Sequence, residues 1–399
     1  MSKKPWGYQP INNRPEPDWD LNPQTDAVRA GLARSGFGET SEAMFINSGF
    51  TYASAEEAES SFKEDLDHYL YSRFHNPTVA MFESRLAALE NAERCLATSS
   101  GMSAMFMSIA CLVSTGDRVV ASAAMFSSCH VVLMEILPKW GIVVELVKSD
   151  DREGWKQALS KPTKVVFIET PSNPMLEITD IKFVSELAHK VGATVIVDNV
   201  MASVVLQKPL ALGADVVMYS ATKHIDGQGR VLGGAILGSE QYFKDHLLQF
   251  NRHTGPSMSA FNAWVLVKSI ETIHMRVKAM CESALKIAEF LETKKSIELV
   301  RYPGLKSHPQ HELAMKQQSN SGGSMIGFNV KGGKAEAFAM INKLSVIDIS
   351  NNLGDSKSLI THPSSSTHRR LSLDDQTAVG IFANTLRLSV GLEATSDLI

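Results

Sequence analysis

A lysine beside two hydroxyls, in Ser220-Ala221-Thr222-Lys223, follows directly on the apolar run Ala214-Asp215-Val216-Val217-Met218-Tyr219. An amine desolvated at the end of a buried strand has a lowered pKa, so its neutral, Schiff-base-forming state becomes accessible. The hydroxyls of Ser220 and Thr222 are donors for a phosphate group. Upstream, Asp198 closes a second buried-strand pattern, Ala193-Thr194-Val195-Ile196-Val197-Asp198, and the carboxyl ends of strands are where open α/β sheets hold ligands. Amine, phosphate donors and an acid able to keep a pyridine nitrogen protonated together suit pyridoxal phosphate. A lysine taken at random is far more often a solvated surface group, and an Asp before Asn199 also suits a plain turn. The strand, hydroxyls and glycines around Lys223 outweigh the first of these readings.

The stretch Thr98-Ser99-Ser100-Gly101-Met102-Ser103-Ala104 precedes an apolar helical run, so its amides form a helix N-terminus suited to an anion. Alone it is equally an ordinary serine cap. Gly227-Gln228-Gly229 lacks the order of a dinucleotide loop, and the chain has no Walker A lysine motif. Cys129 and His130 lie on a helix-like apolar segment with no base at a suitable spacing, which reads as packing. His75, His224, His362 and His368 show no metal-ligand spacing, so no metal is expected.

The elements that must position these groups are legible in the hydrophobic pattern. Between about residues 65 and 255 short β-branched runs alternate with helical patterns, which predicts a parallel sheet covered on both faces. Six strands are predicted: Arg118–Ala121, Val143–Leu146, Val165–Ile168, Thr194–Val197, Val216–Tyr219 and Gly234–Leu237. Residues 1–64 read as an N-terminal arm or extended segment, with Met1 to about Pro23 rich in Pro, Asn and Asp. Residues 256–399 read as a second, smaller α+β domain that opens with one long helix from about Ser259 to Thr293.

A chain of 399 residues with 44% hydrophobic content supports a large core. Its net charge of −4 offers no basic footprint for nucleic acid or acidic membrane surfaces. The apolar stretch Met102 to Val113 is shorter than the ~20 residues that span a bilayer. Four cysteines without C-x-x-C spacing and an N-terminus without a following apolar stretch point to a reducing, cytoplasmic location.

Taken in order, Tyr71-Ser72-Arg73 with Asn76-Pro77-Thr78, Ser99-Ser100-Gly101-Met102, Glu169-Thr170-Pro171-Ser172-Asn173-Pro174, Asp198-Asn199, Ser220-Ala221-Thr222-Lys223 and Leu386-Arg387-Leu388-Ser389-Val390-Gly391-Leu392-Glu393 resemble the cysteine and methionine metabolism family of pyridoxal phosphate enzymes, from about Phe37 to Glu393. The resemblance implies the fold type I of PLP-dependent transferases: a mostly parallel seven-stranded sheet between helices, with an N-terminal arm and a smaller C-terminal α+β domain. It further implies that Lys223 carries the cofactor, Asp198 pairs with the ring nitrogen, and Asn173 hydrogen-bonds near the phenolic oxygen. The phosphate would meet the amides of Gly101 and Met102 and the hydroxyls of Ser220 and Thr222, with Tyr71 and Arg73 arriving from a neighbouring subunit. Arg387 would clamp the substrate's α-carboxylate, with help from Asn352.

The implied assembly is a homotetramer, a dimer of dimers with shared active sites. The segments His224-Ile225-Asp226-Gly227-Gln228-Gly229-Arg230, Asn352-Leu353-Gly354-Asp355-Ser356-Lys357 and Thr254-Gly255-Pro256 are similar to the branch that exchanges the succinyl group of O-succinylhomoserine for hydrosulfide, giving homocysteine and succinate. Cysteine as the nucleophile, O-acetylhomoserine as the substrate, γ-elimination from methionine or cystathionine, and a non-catalytic cofactor-bearing scaffold are the alternatives. Phe126 stands where many members have a ring-stacking tyrosine; the resemblance therefore implies stacking without the hydroxyl. The distal carboxylate of a succinyl substrate wants a cation, for which Arg230 and Arg252 are candidates.

Overall fold

In the computed structural model, which describes residues 21–399, seven strands form the central sheet. They are β1 (Arg94–Thr98), β2 (Arg118–Ser122), β3 (Val143–Val147), β4 (Val165–Glu169), β5 (Thr194–Asp198), β6 (Val216–Ser220) and β7 (Gly234–Gly238), in the order β1-β7-β6-β5-β4-β2-β3. Only β7 runs against its neighbours, pairing antiparallel with both β1 and β6. All six strands predicted from β-branched runs are present, and β1 is the seventh. Its apolar run Cys95-Leu96-Ala97 has no β-branched residue, so the pattern lacked the usual strand signal.

Successive strand residues enter opposite cores, as a doubly covered sheet requires. Val119, Ala121, Val165, Phe167 and Ile196 pack into one cluster, while Val120, Val166, Ile168, Val195 and Val197 pack into another on the opposite face. Residues 1–20 of the expected arm lie outside the described residues. From 21 to 64 the chain is not wholly extended: it carries α1 (Pro23–Arg29) and α2 (Ala55–Phe62). A proline in the first turn starts α1, and the Ser54 hydroxyl caps α2 by accepting from Glu57 N–H. The helices α3 (Pro77–Glu90), α4 (Gly101–Ala110) and α5 (Ser127–Val131) follow.

The single long helix expected after Ser259 is two helices, Ala260–Ile270 and Ile273–Glu292. The break lies at Glu271 and Thr272, where the Arg276 guanidinium takes the Ser269 carbonyl and those of His224 and Ile225. The helical ladder gives way there to a clamp on the turn after Lys223. The C-terminal part folds around a smaller sheet of β8 (Ile297–Arg301), β9 (Met325–Val330), β10 (Asp348–Ile349), β11 (Leu359–Thr361) and β12 (Thr385–Ser389), ordered β10-β11-β12-β9-β8. Among the described residues no helix is long and apolar enough to cross a membrane.

Candidate active site

The carboxyl ends of β4, β5 and β6 open on a cavity of about 240 Å³, closed by the start of α4, the start of α5 and the loop between β10 and β11. Gly101, Met102, Phe126, Asn173, Asp198, Ser220, Thr222, Lys223 and Arg387 all line it. Asn352 joins them through its side chain, whose Oδ1 accepts from Lys223 Nζ at 2.6 Å. Tyr71 and Arg73 do not line this cavity; they border a separate surface hollow with Ile46 and Phe261.

Lys223 sits in a turn pinned by its own N–H to the Ser220 carbonyl at 3.1 Å and by Gly227 N–H to the Lys223 carbonyl at 2.7 Å. Burial, reinforced by the charge of Arg387, pulls its amine down from the ordinary 10.5 to about 8. Asp198 is displaced the opposite way. Burial pushes its carboxyl up to about 7, with Val200 N–H, donating to Oδ1 at 3.0 Å, pulling back. A cationic ring nitrogen against that carboxylate would restore its charged form.

The anion cradle comes from α4 packed end-on against β6. Ser100 Oγ caps the helix by accepting from Ser103 N–H at 3.1 Å, and the amides of Gly101 and Met102 in the first turn are left without intrahelical partners. A Cβ at Gly101 would lie 2.5 Å from Ser220 Cβ and 2.9 Å from its Cα, so only glycine lets the helix reach the strand. Thr222 Oγ1 accepts from Gly233 N–H at 3.0 Å and donates to the Gly233 carbonyl at 3.3 Å, a longer contact that a phosphate oxygen would displace. The chemistry of this donor set fits a phosphate dianion, and the amine and acid fit the rest of pyridoxal phosphate.

On the facing side Arg387, only 1% exposed, donates from Nη1 to Asn173 Oδ1 at 2.9 Å and from Nη2 to the carbonyls of Asn351 at 2.9 Å and Asn352 at 3.1 Å. Its Nε is buried with no partner among the described residues, a cost that a ligand carboxylate would remove. The Asn173 carbonyl is taken by Arg387, so its amide nitrogen is the atom it can offer to a cofactor oxygen.

In the sequence Glu169 and Asn351 carry no predicted role and Cys129 reads as packing; all three line the cavity. Glu169, quoted there only as part of a motif, ends β4 beside Asp198 in register, and burial, then the charge of Asp198, pushes it well above the carboxylate range. Cys129 is in the wall, its Sγ within 4.8 Å of carboxylate oxygens of Glu169 and Asp198. Burial, followed by the charges of those two acids, holds it far above the thiol range, so packing describes it. Asn351 contributes its carbonyl to Arg387. His224 is neutral, pushed down to about 4 by burial and then by Arg276, with Nε2 against Ser324 Oγ at 2.8 Å. Of the two cations considered for a distal carboxylate, Arg230 is tied to Asp226, Nε to Oδ1 at 3.0 Å. Arg252 lies over the Phe74 ring at 4.8 Å, and its carbonyl accepts from Arg73 Nη1. Neither lines the cavity.

The model of the Cys/Met metabolism PLP-dependent enzymes matches residues 24–399. The chain belongs to that family. It is 53% identical over 379 residues to the O-succinylhomoserine sulfhydrylase of Mycobacterium tuberculosis, covering 94% of this chain and 93% of that protein. It is 44% identical to the enzyme of the same name from Pseudomonas aeruginosa, covering 94% and 92%, and 37% identical to the L-methionine gamma-lyase of Treponema denticola, covering 93% of each. Among solved structures, a Campylobacter jejuni protein assigned as an O-acetylhomoserine (thiol)-lyase superposes with a TM-score of 0.91 at 30% identity, covering 95% of this chain and 98% of that one. That protein carries a pyridoxyl-lysine phosphate. As a member of the family, the chain is a PLP-dependent enzyme of fold type I with a mostly parallel sheet.

Proposed function

We propose that this enzyme replaces the succinyl group of O-succinylhomoserine with hydrosulfide, releasing homocysteine and succinate. The observation that carries the reading is the likeness at 53% and 44% to two O-succinylhomoserine sulfhydrylases; the cavity, with its lowered amine opposite a buried arginine, supports it.

When bound, pyridoxal phosphate supplies an electron sink that makes the substrate's α and β hydrogens acidic. Lys223 Nζ, neutral above about pH 8, takes the α proton and then moves a β proton. Asn352 Oδ1 accepts one N–H of that amine at 2.6 Å and so aims its lone pair. Arg387 holds the α-carboxylate, Asp198 holds the ring-nitrogen proton, Asn173 serves the phenolic oxygen, and the Gly101–Ser220–Thr222 cradle with Met102 holds the phosphate. In the exchange the γ carbon–oxygen bond breaks with its electron pair going to succinate, and hydrosulfide brings the pair for the new carbon–sulfur bond. A carboxylate of parent pKa ~4 leaves without acid assistance, unlike a thiolate of ~8.5, so Phe126 serves as a ring face without needing a hydroxyl.

Tyr71 and Arg73 act on the phosphate of a neighbouring subunit, in a cytoplasmic homotetramer. Arg252, clustered with Arg73 and Phe74, would then reach the same neighbour's site and is the better candidate for the distal carboxylate, since its pairing with exposed Glu64 at 3.6 Å is looser than that of Arg230 with buried Asp226 at 2.9 Å.

The test supplies hydrosulfide and cysteine separately with O-succinyl- or O-acetylhomoserine, and measures homocysteine, cystathionine and 2-oxobutanoate. Homocysteine from the succinyl substrate is expected. Cystathionine as the main product would move the reading to cystathionine γ-synthase, and 2-oxobutanoate without a nucleophile to a lyase. Absence of turnover with every acylhomoserine would leave a cofactor-bearing scaffold. Lys223→Ala removes both the visible absorbance of the lysine-bound cofactor and turnover; retention of both would overturn the role of Lys223.

A further inference from the structure

Glu169 spends a buried carboxylate on two backbone amides. It is 2% exposed; its Oε2 accepts from Phe126 N–H at 2.7 Å and its Oε1 from Asn173 N–H at 2.8 Å. Those amides belong to segments 47 residues apart that carry different halves of the site. Phe126, just before α5, presents the ring-facing wall of the cavity. Asn173 accepts from Arg387 Nη1 at 2.9 Å and thereby sets the guanidinium. A neutral acceptor or a water would satisfy a backbone amide at a lower desolvation cost. Once ionised, a carboxylate makes shorter, stiffer bonds, and two of them from one rigid strand end fix both segments relative to each other.

The surroundings tie this clasp to the cofactor. Glu169 stands opposite Asp198 in register at the ends of β4 and β5, and burial together with that neighbouring charge works against its ionisation, while Arg387 favours it. A ring-nitrogen proton held by Asp198 offsets the repelling charge. Arg387 on the other side is the attracting one, so the two charges that govern Glu169 belong to the cofactor half and the substrate half of the site.

We propose that Glu169 is a positioning residue that couples the cofactor's ring face to the carboxylate-binding arginine, so that cofactor loading tightens capture of the substrate's α-carboxylate. The proposal rests on the reading of Lys223 and Arg387 given above. Glu169 acts through the amides of Phe126 and Asn173.

The experiment compares Glu169→Gln, Glu169→Asp and Ser122→Ala with the wild type. Glutamine keeps the shape and turns one acceptor into a donor that faces a backbone N–H. Aspartate keeps the charge with a shorter reach. Ser122→Ala removes only the Oγ that accepts from Glu169's own N–H at 3.2 Å. Pyridoxal phosphate is titrated into each apoprotein by tryptophan fluorescence, the visible circular dichroism of the loaded protein is recorded, and KM and kcat are measured for O-succinylhomoserine. For Glu169→Gln we expect the cofactor Kd and the substrate KM each to rise about tenfold, the loss of one charge-assisted bond. The dichroic band should shrink, and kcat should change less than KM. Glu169→Asp should recover part of each loss, and Ser122→Ala should keep the wild-type values. Values for Glu169→Gln within about twofold of wild type would overturn the coupling, since one lost bond predicts more. Loss of the native fold in both Glu169 variants would also overturn it, by making the residue structural. Failure of the wild-type apoprotein to bind pyridoxal phosphate at Lys223 would instead remove the reading on which the coupling rests.

Discussion

Replacing Arg387 by lysine keeps a positive charge at the same place and removes the planar fork. The guanidinium already serves three oxygens, Asn173 Oδ1, Asn351 O and Asn352 O, at 2.9 to 3.1 Å, and its buried Nε has no partner. Five N–H groups in one plane can keep those contacts and still grip a carboxylate; the three N–H groups of an ammonium cannot do both. Hydrogen bonds to charged groups are worth ~1.5–3 kcal/mol; at about 2 kcal/mol each, and with the charge retained, losing one to two of them costs about 2–4 kcal/mol. At 1.4 kcal/mol per decade this is a fall of about 30- to 700-fold in kcat/KM. The α-carboxylate is the same in the ground and transition states, so most of the loss belongs in KM. Homocysteine formation from O-succinylhomoserine and hydrosulfide, followed across substrate concentrations with the visible spectrum recorded on the same samples, reads it directly. A KM within about threefold of wild type, with the cofactor spectrum intact, would refute the clamp, because uniform binding lost from the ground state must show there.

Gly101→Ala forces a methyl to 2.5 Å from Ser220 Cβ, an overpacking of ~1–3 kcal/mol; apoprotein titration should show weaker pyridoxal phosphate binding with little change in kcat once loaded, and unchanged affinity would contradict the cradle. Because Lys223 is pulled down to about 8, it is ammonium below that pH and neutral above it, and at pH 7 about 9% is neutral against ~0.03% for an ordinary lysine. The rate at which apoprotein condenses with pyridoxal phosphate should therefore climb from pH 6 and level above about 8; a rate still climbing at pH 10 would contradict the lowered amine. Phe126→Tyr should raise methionine cleavage relative to O-succinylhomoserine turnover by adding an acid for the thiolate, measured as 2-oxobutanoate against homocysteine, and an unchanged ratio would sink the leaving-group argument.

Much of the site is legible in the sequence because its chemistry is local there. Lys223 stands three residues after the last residue of β6, and Asp198 is the last residue of β5, so strand patterns placed both at one edge. The α4 cap was readable for the same reason, with Ser100 and Gly101 adjacent to their own helix. Glu169 was not, because its work is done by a side chain reaching the amides of residues 126 and 173, and nothing in either segment encodes an unsatisfied N–H. The failure of the long helix after Ser259 has a similar origin: its pattern is continuous, and the interruption comes from Arg276 bonding to a turn 52 residues earlier.

The order of strand, hydroxyls, amine and acid along the chain determined the cofactor class and the doubly covered sheet, since hydrophobic period and strand-end position depend on nearest neighbours. Tertiary structure decided which arginine faces Lys223, that Asn352 Oδ1 accepts from its amine, and that Arg252 stands beside Arg73. These are pairings between segments up to 179 residues apart, and the energies that select them, desolvation and Coulomb attraction inside a closed core, exist only once the chain has excluded water from between them.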